Sequence, residues 1–177
     1  LQQFLRPEFE AVMPLHASAH AIEAQVARLT EDQMRYLDVA EANRRVICSG
    51  GAGTGKTMLA LELAKRWGAA GMKVALACHS PWLKAFLESV APPSVTVSIA
   101  NSIHVAARRA GIEEFDALIV DEGQDVLNME ALDRLDAVLR GGLEGGCWSF
   151  FHDANNQSGL CGEYQADSYE YLSGLGA

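Results

Sequence analysis

Eight consecutive residues, Gly50, Gly51, Ala52, Gly53, Thr54, Gly55, Lys56 and Thr57, satisfy the pattern G-x-x-x-x-G-K-[ST] at every fixed position. Glycines let successive backbone N–H groups turn inward around a phosphate, and a helix that starts at the loop aims the positive end of its dipole at the same anion. Lys56 then supplies a mobile positive charge for the β and γ oxygens of a nucleotide, and Thr57 a hydroxyl for Mg²⁺. The competing explanation is a glycine-rich turn with a chance lysine, which the flanking strand and helix patterns disfavour. Asp121 and Glu122 follow the apolar run Ala117-Leu118-Ile119-Val120, 65 residues after Lys56. Two carboxylates at a strand end are what a phosphate loop needs opposite it. Asp121 would hold the Mg²⁺ shell, directly or through water, and Glu122 would orient and deprotonate the water that attacks the γ-phosphate. Alternatively either acid caps the next helix or belongs to a solvated face, because residues 113–136 carry nine acids and one arginine.

These groups need a scaffold that brings two strand ends together. Apolar positions at 17–29 recur at helical spacing, and a second helical stretch at 31–42 opens with Thr30 and Gln33 in a capping-box arrangement. Beyond it, β-prone runs at 45–49, 73–78, 95–99, 117–120 and 147–151 alternate with helical runs at 56–67, 81–90, 102–110, 129–139 and about 168–172. Several strand candidates are continuously apolar rather than alternating, as expected when helices cover both faces of a parallel sheet. The prediction is an α/β fold with a doubly wound, mainly parallel five-stranded sheet. Gly68 and Gly71, Pro92-Pro93, and Gly141-Gly142 with Gly145-Gly146 stand where turns are required.

The 177 residues suit one domain and are 49% apolar and 21% charged, which excludes a disordered tail; no apolar run is long enough to span a membrane. A net charge of −9, from 23 acids against 14 bases, argues against a broad basic face for nucleic acid. Cys48, Cys78, Cys147 and Cys161 form no CxxC pair, so a reducing, cytoplasmic setting is expected. The first residue is Leu1 and the last Ala177, and the chain is expected to be a fragment of something longer.

Asp121-Glu122-Gly123-Gln124-Asp125 resembles the Asp-Glu-x-Gln-Asp motif II of superfamily 1 helicases of the UvrD/Rep type. Leu29-Thr30-Glu31-Asp32-Gln33 is similar to the helicase Q motif, whose glutamine reads the adenine edge. The resemblance implies a RecA-like P-loop NTPase domain at 44–177, preceded by a helical lead-in with the Q motif at 1–43. It implies ATP and Mg²⁺ as cofactors, Gln33 as the adenine reader, Gln124 as a γ-phosphate sensor and Asp125 as a link between nucleotide and DNA sites. Residues 73–87 look like motif Ia, whose loop touches single-stranded DNA in that family. Two departures stand out. Ile99-Ala100-Asn101-Ser102 replaces the common Thr-Phe-His-Ser, and the motif III region places Gln157 four residues after Asp153, with Asn156 at the usual offset of three. Either Asn156 or Gln157 would then reach the γ-phosphate, Gln157 being the favoured one, and the altered spacing resembles the branch associated with nuclease-related domains. Such motors use a second RecA-like domain for arginine fingers, worth about 10³- to 10⁵-fold in related NTPases. No room for one exists here, so weak hydrolysis, weak contact with single-stranded DNA and no unwinding by this piece alone are expected.

Other residues weigh less. Trp67 and Trp148 read as core, whereas Trp82 follows Ser80-Pro81 in the motif Ia loop and is a candidate base platform. His16 and His20 have no third metal ligand. Arg44-Arg45 and Arg108-Arg109 read first as ordinary solvated pairs, although Arg44 or Arg45, near the Q motif, could approach the nucleotide, and 165–172 reads as a surface helix or a docking face. Competing functions are a nucleotide-dependent switch without motor activity, which the altered motif III spacing and the acidic balance favour slightly, and a small-molecule kinase, which would need an arginine-bearing lid.

Overall fold

The computed structural model describes residues 31–153 and 166–176. The 17–29 helix, the Thr30 cap, His16, His20, Asn156, Gln157 and Cys161 lie outside them. The elements run α1 (Glu31–Ala42), β1 (Arg45–Ser49), α2 (Lys56–Ala69), β2 (Val74–Cys78), α3 (Pro81–Val90), β3 (Val95–Ile99) and α4 (Ile103–Arg109). They continue with β4 (Ala117–Val120), α5 (Met129–Asp136), α6 (Gly142–Gly145), β5 (Trp148–His152) and α7 (Ala166–Leu175). All five strands pair in parallel in the order β1-β5-β4-β2-β3.

Burial follows that order. Every residue of β2, β4 and β5 is buried, whereas the edge strands β1 and β3 are only partly so. Alternate side chains feed two cores. Leu118, Val120, Trp148 and Phe150 pack with Ile103, Leu132 and Leu135 on the α4/α5 face. Ala117, Ile119 and Phe151 pack with Leu37, Leu61, Leu63 and Leu87 on the α1/α2/α3 face. Full burial of each such Leu, Ile or Phe contributes roughly 1.5–3 kcal/mol, which is why the continuous apolar strands require helices on both sides. Local signals agree with the ends: Ser80 Oγ accepts from Leu83 N at 3.4 Å with Pro81 in the first turn of α3, and Asn128 Oδ1 accepts from Ala131 N at 2.9 Å ahead of α5.

Three expectations change. The glycine pairs before β5 enclose the one-turn helix α6, with Gly141 and Gly142 both at positive φ. The 168–172 helix is longer and is not merely superficial, since Leu172 and Ser168 are buried and the Tyr169 ring meets His152 edge-on at 5.1 Å between centroids. Arg44 and Arg45 stand at the start of β1, the opposite sheet edge from the phosphate loop: the Arg44 carbonyl accepts from Trp148 N and the Arg45 guanidinium donates to the Glu144 carbonyl. They do not approach a nucleotide, because a parallel strand carries its first residues to the edge away from its carboxyl end.

Candidate nucleotide site

Parallel strands deliver all their carboxyl ends to one edge, and the loops leaving β1, β4 and β5 meet there. The loop after β1 turns through Gly53 (φ 75°) and Gly55 (φ 84°), and Gly55 caps α2 in the left-handed conformation that glycine adopts without cost. A Cβ at Gly50 would come within 2.9 Å of Thr54 Oγ1, so the loop is packed as closely as its pattern demands. Lys56, nearly buried, donates from Nζ to the Gly50 and Gly51 carbonyls at 2.9 Å each, which holds the ammonium over the mouth of the loop. Thr54 Oγ1 donates to Gly51 O at 2.9 Å. Ala52 and Gly51 complete the turn. From α1, Gln33 Nε2 donates to Thr54 O at 3.1 Å, so the glutamine is seated on the loop itself.

Asp121 leaves β4 fully buried. Its Oδ1 accepts from Glu122 N at 3.0 Å, while Oδ2 has no hydrogen-bond partner among the described residues. Burial pushes its carboxyl up to about 6, Glu122 adds to the rise, and the nearby Thr57 hydroxyl and the charge of Lys56 pull it back. A buried carboxylate oxygen with no partner, beside a threonine hydroxyl at the start of a phosphate-loop helix, fits a hard divalent cation such as Mg²⁺. Among the described residues no cluster of three or more His, Cys, Asp or Glu side chains forms a separate metal site.

Glu122 adopts φ 52°, ψ 49°, the left-handed region, alone among described non-glycine residues. That conformation costs about 1–2 kcal/mol and is retained where surrounding contacts enforce it. Gln124 does so here. Its Nε2 donates to Glu122 Oε2 at 2.5 Å, and its Oε1 accepts from Asp153 N at 3.0 Å, so one buried amide ties the acid after β4 to the end of β5. A Cβ at Gly123 would come within 3.1 Å of Phe151 O, so the position between Glu122 and Gln124 admits only the smallest residue without displacement.

The last residues of β5 also reach the phosphate loop. Gly50 N donates to His152 O at 3.2 Å, and Ser49 Oγ lies 2.5 Å from His152 Nε2. Burial and the Lys56 charge both hold the imidazole below its ordinary range, against the raising effect of Asp153. Burial raises the Asp125 carboxyl above its ordinary range, and the charge of His79, the residue after β2, offsets part of the rise. Trp82, two residues beyond Ser80, is 82% exposed and belongs to no core. Trp67 and Trp148 are core residues as expected. The Gln124 bridge and the Ser49–His152 pair had no signal in the sequence, because each joins loops of different strands.

No curated protein matches the sequence. Solved structures with some likeness are a DNA replication initiation factor (13% identity, TM-score 0.48, covering 98% of this chain and 50% of that one) and AMPPCP-bound DnaA from Aquifex aeolicus (12%, 0.46, 97% and 50%). Domain III of the Thermotoga maritima replication initiation protein DnaA is a third (14%, 0.45, 96% and 65%). This chain spans about half the length of the first two. Residues 28–142, which include the phosphate loop, both carboxylates and Gln124, match the AAA domain family, and with its five-stranded parallel sheet covered on both faces the chain belongs to that family of P-loop NTPases.

Proposed function

We propose that this domain is the first motor domain of a UvrD/Rep-type superfamily 1 DNA helicase, a MgATP-binding and ATP-hydrolysing unit that is slow on its own. The observation that carries the catalytic part is the Gln124 amide holding Glu122 beside Asp121 on the same sheet edge as Lys56. In this reading Gly50–Thr57 binds the phosphates through backbone N–H groups, and Lys56 leaves the Gly50 and Gly51 carbonyls for the β and γ oxygens. Thr57 and Asp121 hold Mg²⁺, which supplies neutralisation of the phosphate oxygens when bound. Glu122 accepts a proton from the attacking water, and Gln124 keeps that carboxylate in place and reports on the γ-phosphate. Gln33 reads adenine from its seat on the loop: an amide can donate to N7 and accept from the exocyclic amine at once. Gln157 is proposed as the second γ-phosphate contact. The electrostatic link of Asp125 to His79, just after β2, and the exposed Trp82 in the first turn of α3 support a single-stranded DNA path along the ends of β2 and α3.

Steady-state phosphate release tests the proposal. Without an arginine finger most transition-state stabilisation is absent, so turnover should stay near background with or without single-stranded DNA. Adding a second RecA-like domain should raise it greatly, and Glu122→Gln should abolish the rise. Robust DNA-stimulated turnover by this chain alone would overturn the account. Nucleotide-dependent capture of a partner with no turnover in any assembly would favour the switch reading.

A further inference from the structure

His152 touches the start of the phosphate loop twice. Its carbonyl accepts from Gly50 N at 3.2 Å, and its Nε2 lies 2.5 Å from the hydroxyl of Ser49, its partner in the register of β1 and β5. The histidine is buried, whereas Ser49 is exposed. From α7 the Tyr169 ring meets the imidazole edge-on at 5.1 Å between centroids, and a Cβ at Gly123, after β4, would stand 3.5 Å from the His152 Cβ. The ends of β1, β4 and β5 and the helix α7 thus converge on one ionisable ring.

Two charges act on that ring. The Lys56 ammonium, seated on the Gly50 and Gly51 carbonyls, opposes protonation, as burial does, and the neighbouring Asp153 favours it. Ser49 faces the ring with a hydroxyl and Tyr169 with an aromatic edge. A triphosphate that draws Lys56 off those carbonyls cancels its charge and brings negative charge to the loop, so the balance that keeps the ring neutral shifts toward the imidazolium. Protonation need not break the contact with Ser49. A hydroxyl both donates and accepts, so the imidazolium Nε2–H donates to Ser49 Oγ and the loop keeps its anchor. Resting on the nucleotide reading above, we propose that His152 is a positioning residue of the phosphate loop that takes up a proton from water as the nucleotide binds, and that through it affinity rises as pH falls. Asp121 acts in the opposite direction, since a cation on its carboxylate expels a proton. The two groups exchange protons of opposite sign in one binding event, and removal of the imidazole separates them.

Isothermal titration of AMPPCP with Mg²⁺ into the whole chain, repeated from about pH 5.5 to 8 in buffers of different ionisation enthalpy, counts the protons. His152→Gln keeps the backbone bond to Gly50 and offers Ser49 an amide that does not titrate. For a rise of about one unit in the ring's midpoint, the native chain should take up about half a proton more per nucleotide than this variant at the pH midway between the free and bound midpoints. Its affinity should also gain about tenfold more as pH falls across the range. The native chain gives a second reading that needs no folded His152 variant: the imidazole Cε1–H resonance that moves in Ser49→Ala, a change at an exposed side chain, should titrate at higher pH with AMPPCP bound than without. Equal proton counts for the native chain and His152→Gln, or a resonance whose midpoint does not rise, would overturn the inference and leave nucleotide binding in place. Absence of binding at every pH would overturn the nucleotide reading and this one with it.

Discussion

Removing the buried charge of Asp121 should alter how stability depends on pH, with a sign opposite to that of most carboxylates. Its carboxyl stands at about 6 in the folded domain, chiefly through burial, against the 3.8 typical of an exposed aspartate. The folded state therefore binds the proton more tightly than the unfolded chain does. Below about pH 3 the group is protonated in both states and costs nothing; stability then falls as pH rises through the interval up to about 6 and stays low above it. At 1.36 kcal/mol per unit, a rise of that size corresponds to about 3 kcal/mol at neutral pH. Asp121→Asn has no such titration. Urea denaturation in EDTA at a series of pH values checks this. Relative to wild type, the variant should gain about 3 kcal/mol on going from pH 3 to pH 8, whatever constant offset the buried amide introduces. Excess Mg²⁺ should shrink the wild-type dependence, because a cation at Oδ2 favours the charged form. A stability difference that stays flat between pH 4 and pH 8 would show that Asp121 is not held in a desolvated site and would remove the basis for placing a cation there.

Three further outcomes are expected. Lys56→Ala should weaken MgATP binding by tenfold or more in isothermal titration, because it removes the ammonium seated on the loop mouth. Gln33→Ala should bring ATP and GTP to equal affinity in competition titrations, whereas the native chain should prefer ATP. Gln124→Ala should lower the midpoint of urea unfolding by the equivalent of about 1–3 kcal/mol, since it leaves the buried Asp153 N–H without an acceptor. In an assembly restored by a second RecA-like domain, the same change should cut kcat at least tenfold with KM little altered, as befits a residue that positions Glu122 rather than one that binds substrate.

The elements were legible where sequence and environment say the same thing locally. Continuous apolar runs such as Val74-Ala75-Leu76-Ala77-Cys78 can only be strands buried on both faces, and the glycine pattern ending in Lys56 and Thr57 carries its conformation in its composition. The order β1-β5-β4-β2-β3 was not legible, since every strand is apolar enough to lie centrally and only packing ranks them. The same holds for Gln124: next to Glu122 it reads as one more member of an acidic motif, and its second partner, Asp153 N, is 29 residues away along the chain. Arg44 and Arg45 misled for the converse reason, being near the Q motif in sequence but at the far edge of the sheet in space. α6 was hidden because glycines that permit a turn also permit a single helical turn.

The position of β5 has a consequence for how the chain reaches its native state during synthesis. It is the last made of the five described strands and yet lies second in the sheet, inserted between β1 and β4 with Phe150 and Phe151 facing opposite cores. Until residue 152 has cleared the ribosome, β2, β3 and β4 can assemble as a three-stranded unit, but β1 and its phosphate loop have no neighbour to pair with. At about 5–20 residues per second, β1 waits several seconds for its partner. A ribosome-bound chain stopped just before Trp148 should therefore show a protected β2–β4 core and a protease-sensitive β1 and phosphate loop, and nucleotide affinity should appear abruptly once β5 is released.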